Sequence, residues 1–338
     1  MSMQYRPCVI FLFGPTATGK TRAALYLAER LPCDLISVDA VQVYRGFDIG
    51  SAKPARRILQ AYPHHLLDIR APNDIYSVAD FYQDATVLIQ RSLKRQRIPV
   101  LVGGSMMYFS VLEKGMAALP PANAQLRARI QNIAARYGWP YWHRYLCNKD
   151  PQTAARLAPR DRQRLQRAVE VWLQTGQSLR QLQQQSVHPD IMTILARFMP
   201  GTQLVRMGLA VTDRQKHQEQ LQQRWLGMLD AGLLQEVTTL YRRPDLHTSL
   251  PAVRSVGYWQ VWQYLQGKLS YDAMLSAGLI ANRRLAKHQM TWLRSWPQVQ
   301  MFYPQQDSDY CTDIYQQVLM VLSGEVAGAC PDSLATRA

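Results

Sequence analysis

The sequence predicts an α/β protein, a parallel sheet wound with helices and interrupted by a basic helical subdomain. Three observations point there. Short, continuously apolar runs alternate with amphipathic stretches from Cys8 to Ser105. A glycine-containing loop links the first apolar run to the first amphipathic one. Past Leu119-Pro-Pro-Ala122, helical periodicity rich in Arg and Gln takes over. Strands that are apolar throughout need cover on both faces, as in a parallel sheet between helices.

In chain order, Cys8-Val-Ile-Phe-Leu-Phe13 reads as a buried strand and Thr21 to Arg30 as a helix. Leu35-Ile-Ser-Val38 is a second strand and Leu66-Leu-Asp-Ile69 a third. Ser77-Val-Ala-Asp80 has the spacing of a capping box and opens a helix toward Arg95. Ile98-Pro-Val-Leu-Val102, ending at Gly103-Gly104, is another strand. Leu165, Ala168, Val169, Trp172 and Leu173 fall on one helix face, with Arg160, Arg164 and Arg167 near the opposite side. Residues 186–203 read as a loop, Val205 to Leu209 as a last strand, and 213–240 and 271–295 as helical. The expected organisation is a core built from 1–120 and 190–310, a helical insertion over 121–189, and an uninformative tail over 311–338.

The chain has 338 residues, 47% hydrophobic and 19% charged, which excludes wholesale disorder or a fibrous repeat. The apolar run from Cys8 to Phe13 is far shorter than the ~18 residues that would suggest a membrane span. The five cysteines contain no C-x-x-C pair, so neither a disulfide framework nor a zinc site is expected. A cytoplasmic protein, without a membrane partner, fits. Charge says more. Thirty-nine Lys and Arg stand against 24 Asp and Glu, a net of +15. Between Ala122 and Asp230, sixteen basic residues face seven acidic ones. Such a local excess points to a polyanion, most often nucleic acid, against the plainer reading of a solvated face.

Gly14-Pro15-Thr16-Ala17-Thr18-Gly19-Lys20-Thr21 fits G-x-x-x-x-G-K-[ST] between a strand and a helix, the context that the motif requires. Glycines let the backbone wrap a phosphate while successive N–H groups and a helix N-terminus point at the anion. Lys20 adds a point charge, and the Thr21 hydroxyl can ligate Mg²⁺. The motif binds a di- or triphosphate and does not say whose. Asp39 follows at the carboxyl end of the next strand, the edge that faces the ligand crevice of such a sheet. Three roles stay open for it: an acid associated with Mg²⁺, a general base near the phosphate, or a solvated strand end.

Several segments together carry a resemblance. After the phosphate loop come Ser37-Val-Asp-Ala-Val-Gln-Val-Tyr44, Asp48-Ile-Gly-Ser-Ala-Lys-Pro54, Pro63-His-His-Leu66, Val102-Gly-Gly-Ser105 and Tyr108. Gln163-Arg-Leu-Gln-Arg167, Val256-Gly-Tyr258 and Ala286-Lys-His-Gln-Met-Thr-Trp-Leu293 follow. In this order they resemble the tRNA dimethylallyltransferases of bacteria. That resemblance implies a P-loop NTPase-like core, and transfer of a dimethylallyl group from dimethylallyl diphosphate to N6 of adenosine 37. The substrates would be tRNAs reading codons that begin with U, bound as monomer to anticodon stem-loop. The loop would then grip the donor's diphosphate, with Mg²⁺ at Thr21.

By the same resemblance, Thr16 meets the diphosphate near the scissile oxygen, Arg224 reaches it, and Asp39 is the general base. The tRNA would meet Asp39, Ala40, Val41 and Gln42, then Gln163, Arg164, Leu165, Gln166 and Arg167. Arg254, Ser255, Val256, Gly257, Tyr258 and Trp259 would join them, with Ser105 and Arg127 at the channel for the extruded base. Three positions depart from the family pattern: Ala40 where Ser is usual, Ser105 where Thr is usual, and His288 where Arg is usual. Cys311 and Cys330 lack a following His pair, so the zinc finger common in eukaryotic members is not expected. The rival readings are a small-molecule phosphotransferase whose insertion acts as a lid, and an RNA-binding ATPase.

Overall fold

The computed structural model describes residues 6–117, 119–185, 187–306 and 309–325. It divides into two compact units. One comprises Met1–Val111 with Met192–Ala338, and the other is Leu112–Ile191.

The first unit is built on a six-stranded sheet. Its strands are β1 (Cys8–Phe13), β2 (Cys33–Val38), β3 (His64–His65), β4 (Ile98–Gly103), β7 (Gln203–Leu209) and β8 (Gln300–Phe302). β5 (Met116–Ala117) and β6 (Val187–His188) belong to the second unit. The order is β3-β2-β4-β1-β7-β8, and each described pairing in it is parallel. Every side chain of β1 is buried, as its unbroken apolar run requires. Ile10 and Leu12 join a cluster with Ala23, Ala24 and Leu27 of the Lys20–Ala28 helix. On the other face, Phe11 and Phe13 each lie 5.1 Å, centroid to centroid, from Phe109. The register aligns Phe13 with Gly103 and with Gly208, and Val38 with Gly103. The carboxyl ends of β1, β2 and β4 therefore finish level, and the loops that follow them meet at one edge. This is the P-loop NTPase-like core.

The capping box holds: Asp80 N donates to Ser77 Oγ at 3.2 Å and Ser77 N to Asp80 Oδ2 at 2.8 Å. Other expectations need correction. The third strand is His64–His65 and not Leu66–Ile69, because Leu66 and Asp68 have φ of 66° and 55°, which no strand accommodates. Residues read as loop contain a helix, Ile191–Phe198, with Ile194 and Leu195 buried. The stretch read as an uninformative tail forms another, Tyr310–Ser323. Its Tyr310, Cys311, Ile314, Val318 and Leu322 pack into the cluster beneath β1, so this segment is core. Cys330 lies outside the described residues.

The second unit is helical, with helices at Ala124–Tyr137, Trp139–Lys149, Pro151–Ala154, Arg162–Thr175 and Leu179–Gln185. A two-residue antiparallel pairing of β5 with β6 ties its ends together. Its core gathers Ile130, Ala134, Trp142, Leu146, Leu165, Ala168 and Val169. The expected apolar face of the Arg162–Thr175 helix is present through Val169 but stops short of Leu173, which is exposed.

Candidate active site

The Lys20–Ala28 helix begins directly after Gly19, whose φ of +88° lies in the left-handed region that favours glycine. That turn aims the loop backbone and the helix N-terminus into a cavity of about 750 Å³ at the sheet edge. Thr16, Ala17, Thr18, Gly19, Lys20 and Thr21 line it, whereas Gly14 and Pro15 do not. Lys20 Nζ donates to the Pro15 carbonyl at 2.5 Å, and Thr18 Oγ1 to the same carbonyl at 2.8 Å. Burial, reinforced by the Arg224 guanidinium and opposed by Asp39, lowers the Lys20 amine to about 7. Arg224, on the Arg214–Asp230 helix, also lines the cavity, and burial lowers its pKa against the pull of Asp39. Two basic side chains and one carboxylate thus share one cavity.

Asp39 follows β2 directly. Its Oδ1 accepts from Val41 N at 2.8 Å and Gln42 N at 3.2 Å, so a turn of its own backbone orients the carboxylate. Ser105 completes that turn by accepting the Ala40 N–H on its Oγ at 3.1 Å. The methyl absent from Ser105 relative to Thr leaves this contact intact. Gln42 reaches Ser37 and the Ser51 carbonyl, at 2.9 Å and 3.1 Å. Arg254, Ser255 and Val256 also line the cavity, whereas Trp259 does not. Gly257 and Tyr258 are buried, and Tyr258 Oη donates to Glu236 at 2.5 Å. Tyr258 is therefore part of the framework around the cavity.

The helical unit holds the remaining candidates. Glu170 is fully buried and receives Arg127 at 2.9 Å and 3.0 Å and Arg167 at 2.9 Å. Arg167 also donates to the Pro120 carbonyl at 2.8 Å. Burial alone would raise the Glu170 carboxyl, but the two guanidinium groups and the Asn123 amide hold it below the usual range. Such a pair is costly to break, because loss of one partner strands a buried charge. Arg127 and Arg167 are thus tied to a buried carboxylate, with side chains that stay 34% and 28% exposed. Leu165 is 0% exposed. Gln166 accepts from Gln131 at 3.2 Å, while Gln163 and Arg164 present exposed ends.

Residues that the sequence reading passed over hold the phosphate loop in shape. Thr16 N donates to Gln289 Oε1 at 2.8 Å, and Gln289 Nε2 donates to the Gly104 carbonyl at 2.9 Å. From the other side, His217 Nε2 donates to the Thr16 carbonyl at 2.9 Å. Burial lowers the pKa of His217 and favours its neutral form. Both backbone groups of Thr16 are therefore committed to protein partners, which leaves its hydroxyl for a ligand. Gln289 stood inside the quoted Ala286-Lys-His-Gln segment, so a signal was there; His217 had none. Gln289→Leu strands the Thr16 N–H and the Gly104 carbonyl, and affinity for inorganic diphosphate should fall about tenfold. Calorimetry reads this, and unaltered affinity in a stably folded variant would show that the loop keeps its shape without Gln289.

Comparison with known proteins now bears on the site. A family model described as IPP transferase matches residues 42–296. A tRNA dimethylallyltransferase from Thioalkalivibrio sulfidiphilus is 46% identical over 308 residues, covering 90% of this chain and 93% of that protein. The solved tRNA isopentenylpyrophosphate transferase of Bacillus halodurans is 31% identical, with a TM-score of 0.67 over 94% of this chain and 97% of that one. A eukaryotic dimethylallyltransferase solved acting on tRNA gives a TM-score of 0.73 over 95% of this chain and 79% of its own. Its 19% identity makes this a likeness of fold alone. No helix among the described residues is long and apolar enough to cross a membrane. By the family match and the relative at 46% identity, this chain belongs to the IPP transferase family.

Proposed function

We propose that this protein transfers a dimethylallyl group from dimethylallyl diphosphate to N6 of adenosine 37 in the anticodon stem-loop of tRNA. The tRNAs are those reading codons that begin with U, and the protein acts as a cytoplasmic monomer. One observation carries the reading: Lys20, Arg224 and the Asp39 carboxylate line the same cavity as the phosphate loop. A prenyl transfer needs that combination. Its leaving group is a diphosphate, which cations stabilise, and its nucleophile is an amine, which must lose a proton. Met106, Met107 and Trp292 supply apolar wall in the same cavity, suited to a short prenyl chain.

In the reaction, the C1–O bond breaks with its electron pair passing to the diphosphate, and the N6 lone pair forms the new C1–N bond. Lys20 and Arg224 take up the charge that grows on the departing oxygen, and the Thr16 hydroxyl meets the diphosphate near that oxygen. Asp39 receives the proton from N6. Thr21 lines the cavity, and its hydroxyl is a hard oxygen donor. That donor set fits Mg²⁺, which keeps waters and substrate phosphates as most of its ligands. When bound, Mg²⁺ adds positive charge against the leaving diphosphate. The base specificity has a direct test. An anticodon stem-loop with guanosine at position 37 should accept no prenyl group, and transfer to it would contradict the assignment.

The Lys20 amine gives a pH prediction. Free, it loses its proton above about 7. A bound diphosphate favours the charged form and raises its pKa. Donor affinity should therefore weaken as the pH rises above about 7. Binding at pH 8 should take up a proton, read by calorimetry in buffers of different ionisation enthalpy. Binding at pH 8 without proton uptake would contradict this role for the amine.

A further inference from the structure

Of the three arginines that the family resemblance offered in the helical unit, Arg127 and Arg167 grip Glu170 and Arg164 stays exposed. Exposed cationic ends stand elsewhere, on the hairpin formed by the Ala124–Tyr137 and Trp139–Lys149 helices. From Ala122 to Lys149 the sequence has five Arg or Lys and no Asp or Glu. Arg129 and Arg136, seven residues apart, share one exposed helix face. At the turn, Tyr137 and Tyr141 stack with ring centroids 5.5 Å apart and planes inclined by 30°. They remain 56% and 38% exposed. The Arg136 guanidinium lies over the Tyr137 ring, 5.2 Å from its centroid. Arg144 is exposed one turn beyond Tyr141. Beneath them, the buried Trp142 donates its indole N–H to the Ile130 carbonyl at 3.0 Å, which locks the two helices together.

Tyr141 also meets the buried Trp142 edge-on at 5.3 Å, so the core holds one ring of the stacked pair while both keep exposed surface in a stretch of sequence free of carboxylates. An apolar protein surface would suit the rings but not the guanidinium groups around them. An RNA strand suits both, since phosphates draw arginines and base or sugar faces stack on aromatic rings. We infer that Arg129, Arg136, Tyr137, Tyr141 and Arg144 form an RNA-contact stripe separate from the Gln163–Arg164 end. This inference rests on the tRNA-modifying reading above. The arginines take backbone phosphates, and the tyrosine pair takes a base or ribose face.

The test uses two double variants of the full chain, Arg129→Gln with Arg136→Gln and Tyr137→Ser with Tyr141→Ser. Binding of unmodified tRNA is measured over a range of salt. Affinity for dimethylallyl diphosphate and the thermal midpoint serve as controls for folding. The arginine pair should flatten the log–log salt slope by roughly 0.7–0.9 per lost phosphate contact. The tyrosine pair should weaken binding by about tenfold and leave the slope unchanged. Wild-type affinity and slope in both variants would overturn the stripe while prenyl transfer by the wild type stands. A wild type that neither binds nor prenylates tRNA would overturn the underlying reading and the stripe together.

Discussion

Asp39→Asn is expected to slow single-turnover prenyl transfer by about 10²–10⁴, the usual cost of losing a general base. Donor affinity and its Mg²⁺ dependence should stay near wild type. The N6 amine of adenosine is a weak nucleophile because its lone pair is delocalised into the ring. As it attacks C1 it gains positive charge, which a neighbouring carboxylate stabilises before taking the proton. Asn keeps the shape and an oxygen that can accept from Val41 N and Gln42 N, so the turn at 39–42 should survive. Only the charge is lost. A metal ligand would behave differently, needing far more Mg²⁺ and regaining much of its rate when it is supplied. Rescue by Mg²⁺ would sink the general-base role and leave prenyl transfer standing.

Lys20→Ala should act on the diphosphate at both stages. Removing one charge-assisted contact to an anion costs about 1.5–3 kcal/mol, or roughly 10–100-fold in donor affinity. The transfer step should slow as well, because the charge on the departing oxygen grows as the bond breaks. Lys20→Met separates charge from bulk, since it keeps most of the stem beside the Pro15 carbonyl. Both variants should bind tRNA normally in the absence of donor. If calorimetry finds donor affinity unaltered in both, the loop does not grip the diphosphate.

What could be read from the sequence was local. The apolar runs of β1, β2 and β4 announced a buried parallel sheet, and the glycine loop with Asp39 announced the site, because each is a contiguous pattern. The shape of that site depends on partners far apart in the chain. Gln289 meets Thr16 across 273 positions, and His217 meets it across 201. No periodicity encodes such a meeting. The same limit hid the partner of Arg127 and Arg167, since a basic helix face looks alike whether it is solvated, bound to RNA or paired with a buried carboxylate. Glu170 is that partner, and its burial depends on the packing of two helices. The Tyr310–Ser323 helix was missed for another reason. Its apolar spacing was present, but its role became visible only with the sheet face that it covers.

Transferred label tests prenyl transfer most directly. Unmodified tRNA is incubated with dimethylallyl diphosphate labelled in the prenyl group and, in parallel, with ATP labelled in the γ-phosphate. Prenyl transfer predicts label from the first donor on adenosine in the tRNA, with one diphosphate released for each group transferred. Appearance of γ-phosphate label in any acceptor, or ATP hydrolysis with no prenyl label entering tRNA, would contradict it.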